Sequence, residues 1–157
     1  MLDSDRPVTL EQERGRVVLL VFVATWCAAC RQLAPVLDRW EDEYRDEGLA
    51  IIATSHEPRA RIRRHLRRSP SRTRWVQCTG RSAIRYGADA LPTAVLIDRE
   101  GIVRGTFRGA GADTVAEMRA AVERWLDGAE ARPRSDHAGT ATAVEPPGQA
   151  ARQPRSQ

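Results

Sequence analysis

The feature that most constrains this sequence is an unbroken apolar run, residues 17–24, that leads directly into Trp26-Cys27-Ala28-Ala29-Cys30. Such a run is typical of a strand that is buried on both faces, like a central strand under helices. Helical periodicity follows the motif, so the two cysteines lie where a buried strand passes into a helix. Because two residues make about half a helical turn, both sulfurs lie on one side of the first turn. The first thiol then lies at the helix N-terminus, where free N–H groups and the helix dipole favour a thiolate, the nucleophile of disulfide exchange.

The rest of the chain alternates between strand and helix patterns. Apolar residues at helical spacing predict a helix over residues 30–47 that Gly48 ends. Further strands are predicted at residues 49–54, 74–78, 93–98 and 102–107, and further helices at 59–68, 82–86 and from Thr114, where Thr114 and Glu117 fit a capping box. The last two strands flank Arg99-Glu100-Gly101, which indicates a hairpin. This order predicts an α/β fold with a mixed central sheet and helices on both faces.

A length of 157 residues favours one domain with a tail. We expect a domain over residues 8–127, a polar lead-in over 1–16 in which 8–10 add a short edge strand, and a disordered tail over 129–157, where periodicity is absent. The chain has no apolar run of the roughly 18 residues that a membrane span needs, and no signal-peptide pattern. The sequence as given therefore predicts a monomeric cytoplasmic protein, with export as the alternative if a signal precedes this chain.

The two cysteines of the motif are expected to have different roles. Cys27, nearest the helix start, is expected to be the more exposed nucleophile, and Cys30 the more buried thiol that resolves the mixed disulfide. The alternative is half of a zinc site that Cys78 and His56 would complete, but no second Cys-x-x-Cys exists. We therefore expect a redox-active Cys27–Cys30 disulfide and neither a metal nor another cofactor. Cys78 is expected to fill the core, with a third exchange thiol as the alternative.

A second motif, Leu91-Pro92-Thr93, precedes a predicted strand. By itself it fits an ordinary strand start, where proline is tolerated. Combined with Val-Phe-Val-Ala-Thr-Trp-Cys-Ala-Ala-Cys and with Tyr-Gly-x-x-x-Leu-Pro-Thr-x-x-Leu-Ile-Asp at residues 86–98, it resembles the thioredoxin superfamily. The resemblance is strongest to the redoxin branch, the bacterial thioredoxin-like thiol-disulfide oxidoreductases, and covers residues 8–127.

The resemblance implies a thioredoxin-like fold and thiol-disulfide oxidoreductase activity on protein or small-molecule disulfides and dithiols. It also implies that Pro92 is a cis-proline facing the cysteine pair and that backbone groups of Leu91 bind a substrate peptide. Trp26 would shield the sulfurs, and a substrate chain would pass close to Gly109. The substrate-binding residues expected on this basis are Trp26, Leu91, Pro92, Thr93 and Gly109.

The sequence departs from these relatives where they carry an acid. Val21 stands at the position of the buried acid of thioredoxin proper, and Ala28 at that of the acid which redoxin-branch relatives often carry between the cysteines. Proton transfer at Cys30 thus lacks an obvious carboxylate. Glu57 and His56 are candidates to replace it, although both also fit the start of the next helix.

Two other functions compete with disulfide exchange. A peroxiredoxin-like antioxidant would share the fold, but its motif places Thr three residues before the cysteine, whereas Thr25 lies two residues before Cys27. A binding or accessory module, for instance in cofactor or cytochrome maturation, would use the same fold with incidental thiols.

The stretch over residues 59–74 contains eight Arg. It predicts either a solvated helix face or a docking surface for an acidic redox partner. Nucleic acid is not expected, because apart from Trp75 no aromatic residue interleaves with the charges.

Overall fold

Five strands form the centre of the fold in the computed structural model, which describes residues 8–128. They are β1 (Val17–Phe22), β2 (Leu49–Ser55), β3 (Arg74–Gln77), β4 (Thr93–Ile97) and β5 (Val103–Arg108). The strand order is β3-β2-β1-β4-β5. β1 pairs in parallel with β2 and antiparallel with β4, and β4 and β5 form the predicted antiparallel hairpin. The predicted mixed sheet is confirmed.

The helices are α1 (Ala28–Tyr44), α2 (Arg59–Arg68), α3 (Gly80–Arg85) and α4 (Ala112–Leu126). Side chains from α1, α2 and α4 form one core with alternate residues of the strands, and residues around α3 cover the opposite face of the sheet. All six residues of β1 are buried, because cores form on both faces of this central strand. None of the helices within residues 8–128 is long and apolar enough to span a bilayer.

The N-terminal end of the described chain differs from its prediction. Residues 8–10 were expected to add an edge strand, but a 3₁₀ helix forms at Leu10–Glu13 instead. Its start is held by the Thr9 N–H, which donates to Gln12 Oε1 at 3.2 Å. Val8 and Leu10 pack against the core on the α3 face, so this segment covers the sheet and does not extend it.

The predicted capping box of the last helix is also wrong. α4 begins at Ala112 after an N-cap at Gly111, and no side chain caps it. The Val115 N–H donates to the Gly111 carbonyl at 2.9 Å, so Thr114 already lies within the first turn. Residues 1–7 of the predicted lead-in and the predicted disordered tail, 129–157, lie outside the described residues.

Candidate active site

Cys27 and Cys30 form a disulfide at the start of α1, with their Cα atoms 5.2 Å apart. Cys27 is the N-cap residue of this helix, and its Sγ accepts a hydrogen bond from the Cys30 N–H at 3.1 Å. The first sulfur therefore lies among the free N–H groups of a helix of 17 residues. After reduction, this position favours the anionic form of the Cys27 thiol.

The loop that connects β1 to Cys27 is held at several of its residues. The Val23 N–H donates to the Thr54 carbonyl at 2.9 Å, and the Cys27 N–H donates to the Ala24 carbonyl at 3.1 Å. Between them, Thr25 donates both its N–H (2.6 Å) and its hydroxyl (2.8 Å) to the Glu57 carboxylate. The cysteine pair thus starts from a loop that is tied to the carboxyl end of the neighbouring strand β2.

The two cysteines have the same exposure, 6% each, in the disulfide form. The expected difference, with Cys27 more exposed, is absent because the Cys27 sulfur is covered by its bond to Cys30 and by the first helical turn. They differ instead in the cavity each one lines. Cys27 lines a cavity of about 510 Å³ together with Trp26, His56, Cys78 and Leu91.

Cys30 lines a second cavity, of about 310 Å³, between α1, α2 and β3. Arg31, Pro35, His65 and Trp75 are among its other lining residues. The disulfide therefore separates two cavities, and the larger one adjoins the sulfur expected to attack.

The Leu91–Pro92 peptide bond is cis. Sheet register brings this segment beside the site, because Thr93 pairs with Phe22 at the end of β1, from which the chain continues to Cys27. Gly109, directly after β5, donates its N–H to the Pro92 carbonyl at 2.8 Å and has a φ of +89°. Thr93 is fully buried, and its hydroxyl donates to the Ala90 carbonyl at 2.8 Å, so its side chain stabilises the loop from inside.

Trp26 is exposed over 63% of its surface at the mouth of the larger cavity. Cys27, Leu91 and Trp26 therefore adjoin one cavity, whereas Pro92 and Gly109 are joined to each other by a backbone hydrogen bond.

The two candidates for a proton-transfer group occupy different environments. Neither starts α2, which has Pro58 as its N-cap. His56 is exposed and lines the cavity of Cys27. Glu57 is only 4% exposed. Burial alone would raise the pKa of Glu57, but the hydrogen bonds from Thr25 and Ser55 and the charge of Arg61 lower it below its usual value. Glu57 is therefore an ionised acceptor bound to the loop.

Sequence reasoning missed this contact between Glu57 and Thr25, although one signal was present. β1 and β2 were both predicted as buried strands joined by a helical crossover, which makes them parallel. The residues that follow their carboxyl ends then share one edge of the sheet, and Thr25 and Glu57 are such residues.

Cys78 is a free, partly buried cysteine that follows β3 and packs against the core on the α3 face. It also lines the cavity of Cys27, which its prediction as a core residue did not include. Within residues 8–128, no group of three or more His, Cys, Asp or Glu side chains is placed to hold a metal ion.

Comparison with known proteins finds one matching family and several relatives of similar sequence. The model of the AhpC/TSA family matches residues 2–106. The thiol-disulfide oxidoreductase ResA of Halalkalibacterium halodurans is 29% identical over 112 residues, 70% of this chain. The thioredoxin-like protein YneN of Bacillus subtilis is 27% identical over 111 residues, 68% of this chain. In both cases the match spans 64% of the relative's own length, less than two thirds.

The fold is also found in solved structures. A crystal structure from Chlorobium tepidum, of a protein proposed to be the thiol:disulfide interchange protein DsbE, superposes with a TM-score of 0.72 at 26% identity. The superposition covers 76% of this chain and 86% of the other. Together with the strand order, it confirms the thioredoxin-like α/β fold expected from the sequence.

Proposed function

The chain belongs to the AhpC/TSA family, and on that premise we propose that it is a thiol-disulfide oxidoreductase that exchanges disulfides through Cys27 and Cys30. The observation that carries the proposal is the disulfide itself, closed across the first turn of α1 with Cys27 as the N-cap. The similarity to ResA and to the DsbE structure supports the same chemistry.

The exchange proceeds in two displacement steps. In the reduced protein the Cys27 thiolate attacks one sulfur of a substrate disulfide, forms a mixed disulfide and releases the other substrate sulfur as a thiolate, which takes up a proton. Cys30, after losing its proton, attacks the Cys27 sulfur, closes the Cys27–Cys30 disulfide and releases the second substrate thiol. Two electrons pass from the protein to the substrate, and the reverse sequence oxidises a dithiol.

The substrate would lie along the loop of the cis-proline. Backbone groups of Leu91, which lines the cavity of Cys27 beside the end of β1, would pair with an extended peptide. Trp26 would cover the sulfurs from the mouth of the cavity, and Gly109 leaves open space, since a Cβ there would meet no atom within 4 Å. Thr93 contributes by holding the loop in shape.

The direction of exchange depends on the reduction potential of the pair. A potential of about −270 mV would mark a thioredoxin-like reductant, and one of about −120 mV would mark an oxidant.

The cytoplasmic location and the monomeric state remain predictions from the sequence.

The test uses a Cys78→Ser background, so that only the pair exchanges. We expect Cys27→Ser to abolish turnover of insulin or glutathione disulfide, and Cys30→Ser to accumulate a mixed disulfide through Cys27 that mass spectrometry detects. Turnover that persists in Cys27→Ser would refute the mechanism. Reduction of hydroperoxides without disulfide turnover would favour the peroxidase alternative, and unchanged partner binding in the double Ser variant without turnover would favour a binding module.

For the partner, we propose an acidic redox protein that docks on α2. This helix contains six Arg and no acidic residue, and Ile62 is its only buried side chain. Part of the charge has an internal role, since Arg61 pairs with Glu57 at 3.6 Å and the last-turn residues Arg67 and Arg68 favour the helix C-terminus. The end of α2 is close to the exchange site, because His65 and Ser69 line the same cavity as Cys30.

Charge reversal tests the docking surface. Two peptide disulfides, one flanked by Asp and Glu and the other by Lys, serve as probes. We expect Arg64→Glu to lower kcat/KM for the acidic probe only, and added NaCl to remove the difference. Arg124→Glu, in the last turn of α4, is the control for net charge. Equal rates for the two probes in the unchanged protein would contradict an acidic partner.

A further inference from the structure

Glu57 takes no part in the exchange steps, yet its buried carboxylate contacts the loop that carries Cys27. We propose that Glu57 is a positioning residue of the exchange site that fixes Cys27 at the helix start and, through its charge, makes the Cys27–Cys30 pair more reducing. The proposal rests on the proposed function, because it concerns the same pair.

The positioning role follows from which atoms the carboxylate binds. Oε2 of Glu57 accepts the Thr25 N–H and Oε1 accepts the Thr25 hydroxyl, at 2.6 and 2.8 Å. Thr25 precedes the N-cap Cys27 by two residues, and its carbonyl accepts a longer bond of 3.4 Å from the Arg31 side chain. Glu57 is thus the main side-chain anchor of this loop, and it limits where the Cys27 sulfur can move after reduction.

Glu57 can serve as an anchor because its own position is fixed. Its N–H donates to Ser55 Oγ, and the Ser55 hydroxyl donates back to the carboxylate, both at 3.2 Å. Its carbonyl accepts from Gln77 Nε2 at 3.0 Å, and Arg61 pairs with Oε1 at 3.6 Å. The residue therefore ties the active-site loop to β2, to the end of β3 and to α2.

The negative charge of Glu57 destabilises the Cys27 thiolate. The α1 N-terminus stabilises a Cys27 thiolate, whereas an anion at the base of the loop opposes it. Arg61 pairs with Glu57 itself, and Arg31 donates to the Thr25 carbonyl. Beside Cys27, the charged or titratable residues that line the larger cavity are His56, Cys78 and Asp89, and Asp89 is paired with Arg108 at 3.2 Å. Removal of the Glu57 charge stabilises the thiolate and hence the reduced form. A looser loop also lowers the effective concentration of one thiol at the other. Both changes disfavour the disulfide.

The experiment measures the equilibrium between the Cys27–Cys30 pair and glutathione in the Cys78→Ser background, trapped by alkylation. We expect Glu57→Gln to lower the equilibrium constant for disulfide formation about tenfold, which is about 30 mV for a two-electron couple. The pKa of the Cys27 thiol, from thiolate absorbance against pH, should fall by about one unit. Thr25→Val, which keeps the charge and loses one anchor bond, should lower the equilibrium constant less and leave the thiol pKa unchanged.

Glu13→Gln is the matched control. Glu13 is also a buried glutamate, 6% exposed and paired with Arg74 at 2.6 Å, but it precedes β1, at the opposite end of the strand from Cys27. The Glu13→Gln variant should be less stable than wild type but should keep the wild-type equilibrium constant for formation of the Cys27–Cys30 disulfide. If Glu57→Gln does not fold, Glu57→Asp replaces it: the charge remains, so the thiol pKa should stay while the equilibrium constant falls.

An unchanged equilibrium constant and thiol pKa in the Glu57 variants would overturn the proposal, as would an equal shift in Glu13→Gln. Failure of the proposed function has a different result: the Cys27–Cys30 pair reaches equilibrium with glutathione, but the wild-type protein catalyses neither the reduction of a disulfide nor the oxidation of a dithiol.

Discussion

The Asp98 side chain organises the turn between β4 and β5, and the substitution Asp98→Asn should weaken the fold in a pH-dependent way. Asp98 is 2% exposed. Its Oδ1 accepts the N–H groups of Glu100 (3.0 Å) and Ile102 (2.8 Å), and its Oδ2 accepts Arg104 Nε at 2.6 Å. An asparagine side chain in its place keeps an oxygen for the two N–H groups but presents an amide NH₂ to a guanidinium, and the negative charge is lost.

The magnitude follows from these three bonds. A hydrogen bond to a charged group contributes about 1.5–3 kcal/mol, and a neutral one about 1 kcal/mol. Asp98→Asn removes the Arg104 bond and makes the other two neutral, but the Arg104 side chain is 35% exposed, so water replaces part of the loss. We therefore expect a loss of about 2–4 kcal/mol from a free energy of unfolding that is typically about 5–15 kcal/mol.

Urea unfolding at several pH values tests both the size of this loss and the direction in which it changes with pH. Burial alone would raise the pKa of Asp98, but the bonds from Ile102 and Arg104 lower it below its usual value. A carboxylate whose pKa is lower in the folded state stabilises the protein above its unfolded pKa, about 3.9, and this stability is lost as the pH falls through the folded pKa. The difference in the free energy of unfolding between wild type and Asp98→Asn should be largest at neutral pH and should disappear in acid. Asp46→Asn, at an exposed carboxylate after α1, is the control.

Two results would refute this reasoning: a variant as stable as wild type at neutral pH, or a difference that persists unchanged in acid. The first would mean that the turn does not depend on the charge. The second would mean that packing, and not ionisation, explains the loss.

Three smaller predictions concern other contacts. Gly109→Ala should lose about 1–2 kcal/mol, because its φ of +89° is unfavourable for a side chain; a wild-type unfolding curve would contradict this. Trp26→Ala should change stability by less than about 0.5 kcal/mol, since Trp26 is 63% exposed, but should raise KM for insulin if Trp26 covers the sulfurs; an unchanged KM would argue against that role. Tyr44→Phe removes the hydroxyl that donates to Glu123 at 2.6 Å, and should cost about 1 kcal/mol in thermal or urea unfolding; equal stability would show that water replaces the bond.

The fold was predictable where local signals, apolar spacing and helix-stopping residues, agreed on each element. The bounds of α2, Arg59–Arg68, coincide with the predicted helix, because Pro70 stops it and Ile62 gives it a buried position. The continuous apolar run marked β1 as the central strand, and its burial on both faces is the physical reason. The cysteine pair at a helix start followed from the same junction.

Predictions failed where several local solutions have similar energies. Thr114 and Glu117 form a plausible capping box, but the chain starts α4 earlier, where Gly111 takes the N-cap position without a side-chain bond. Residues 8–10 have strand-like composition, but their apolar side chains are buried by lying across the sheet face. For residues 8–10 the outcome depends on packing against distant elements, which a local pattern does not contain.

Glu57 shows how such distant contacts determine the chemistry of the site. The positions where relatives carry an acid hold Val21 and Ala28, and the sequence offers Glu57 as a candidate replacement for the proton carrier. A proton carrier needs a pKa near the working pH and a free oxygen. Glu57 has neither, because both of its oxygens accept from Thr25 and its pKa is lowered. The chain therefore retains a carboxylate beside the exchange loop, but this carboxylate binds the backbone and hydroxyl of the loop. If that is its role, variants of Glu57 should alter the redox equilibrium of the pair, and the rate of proton transfer to Cys30 should not depend on them.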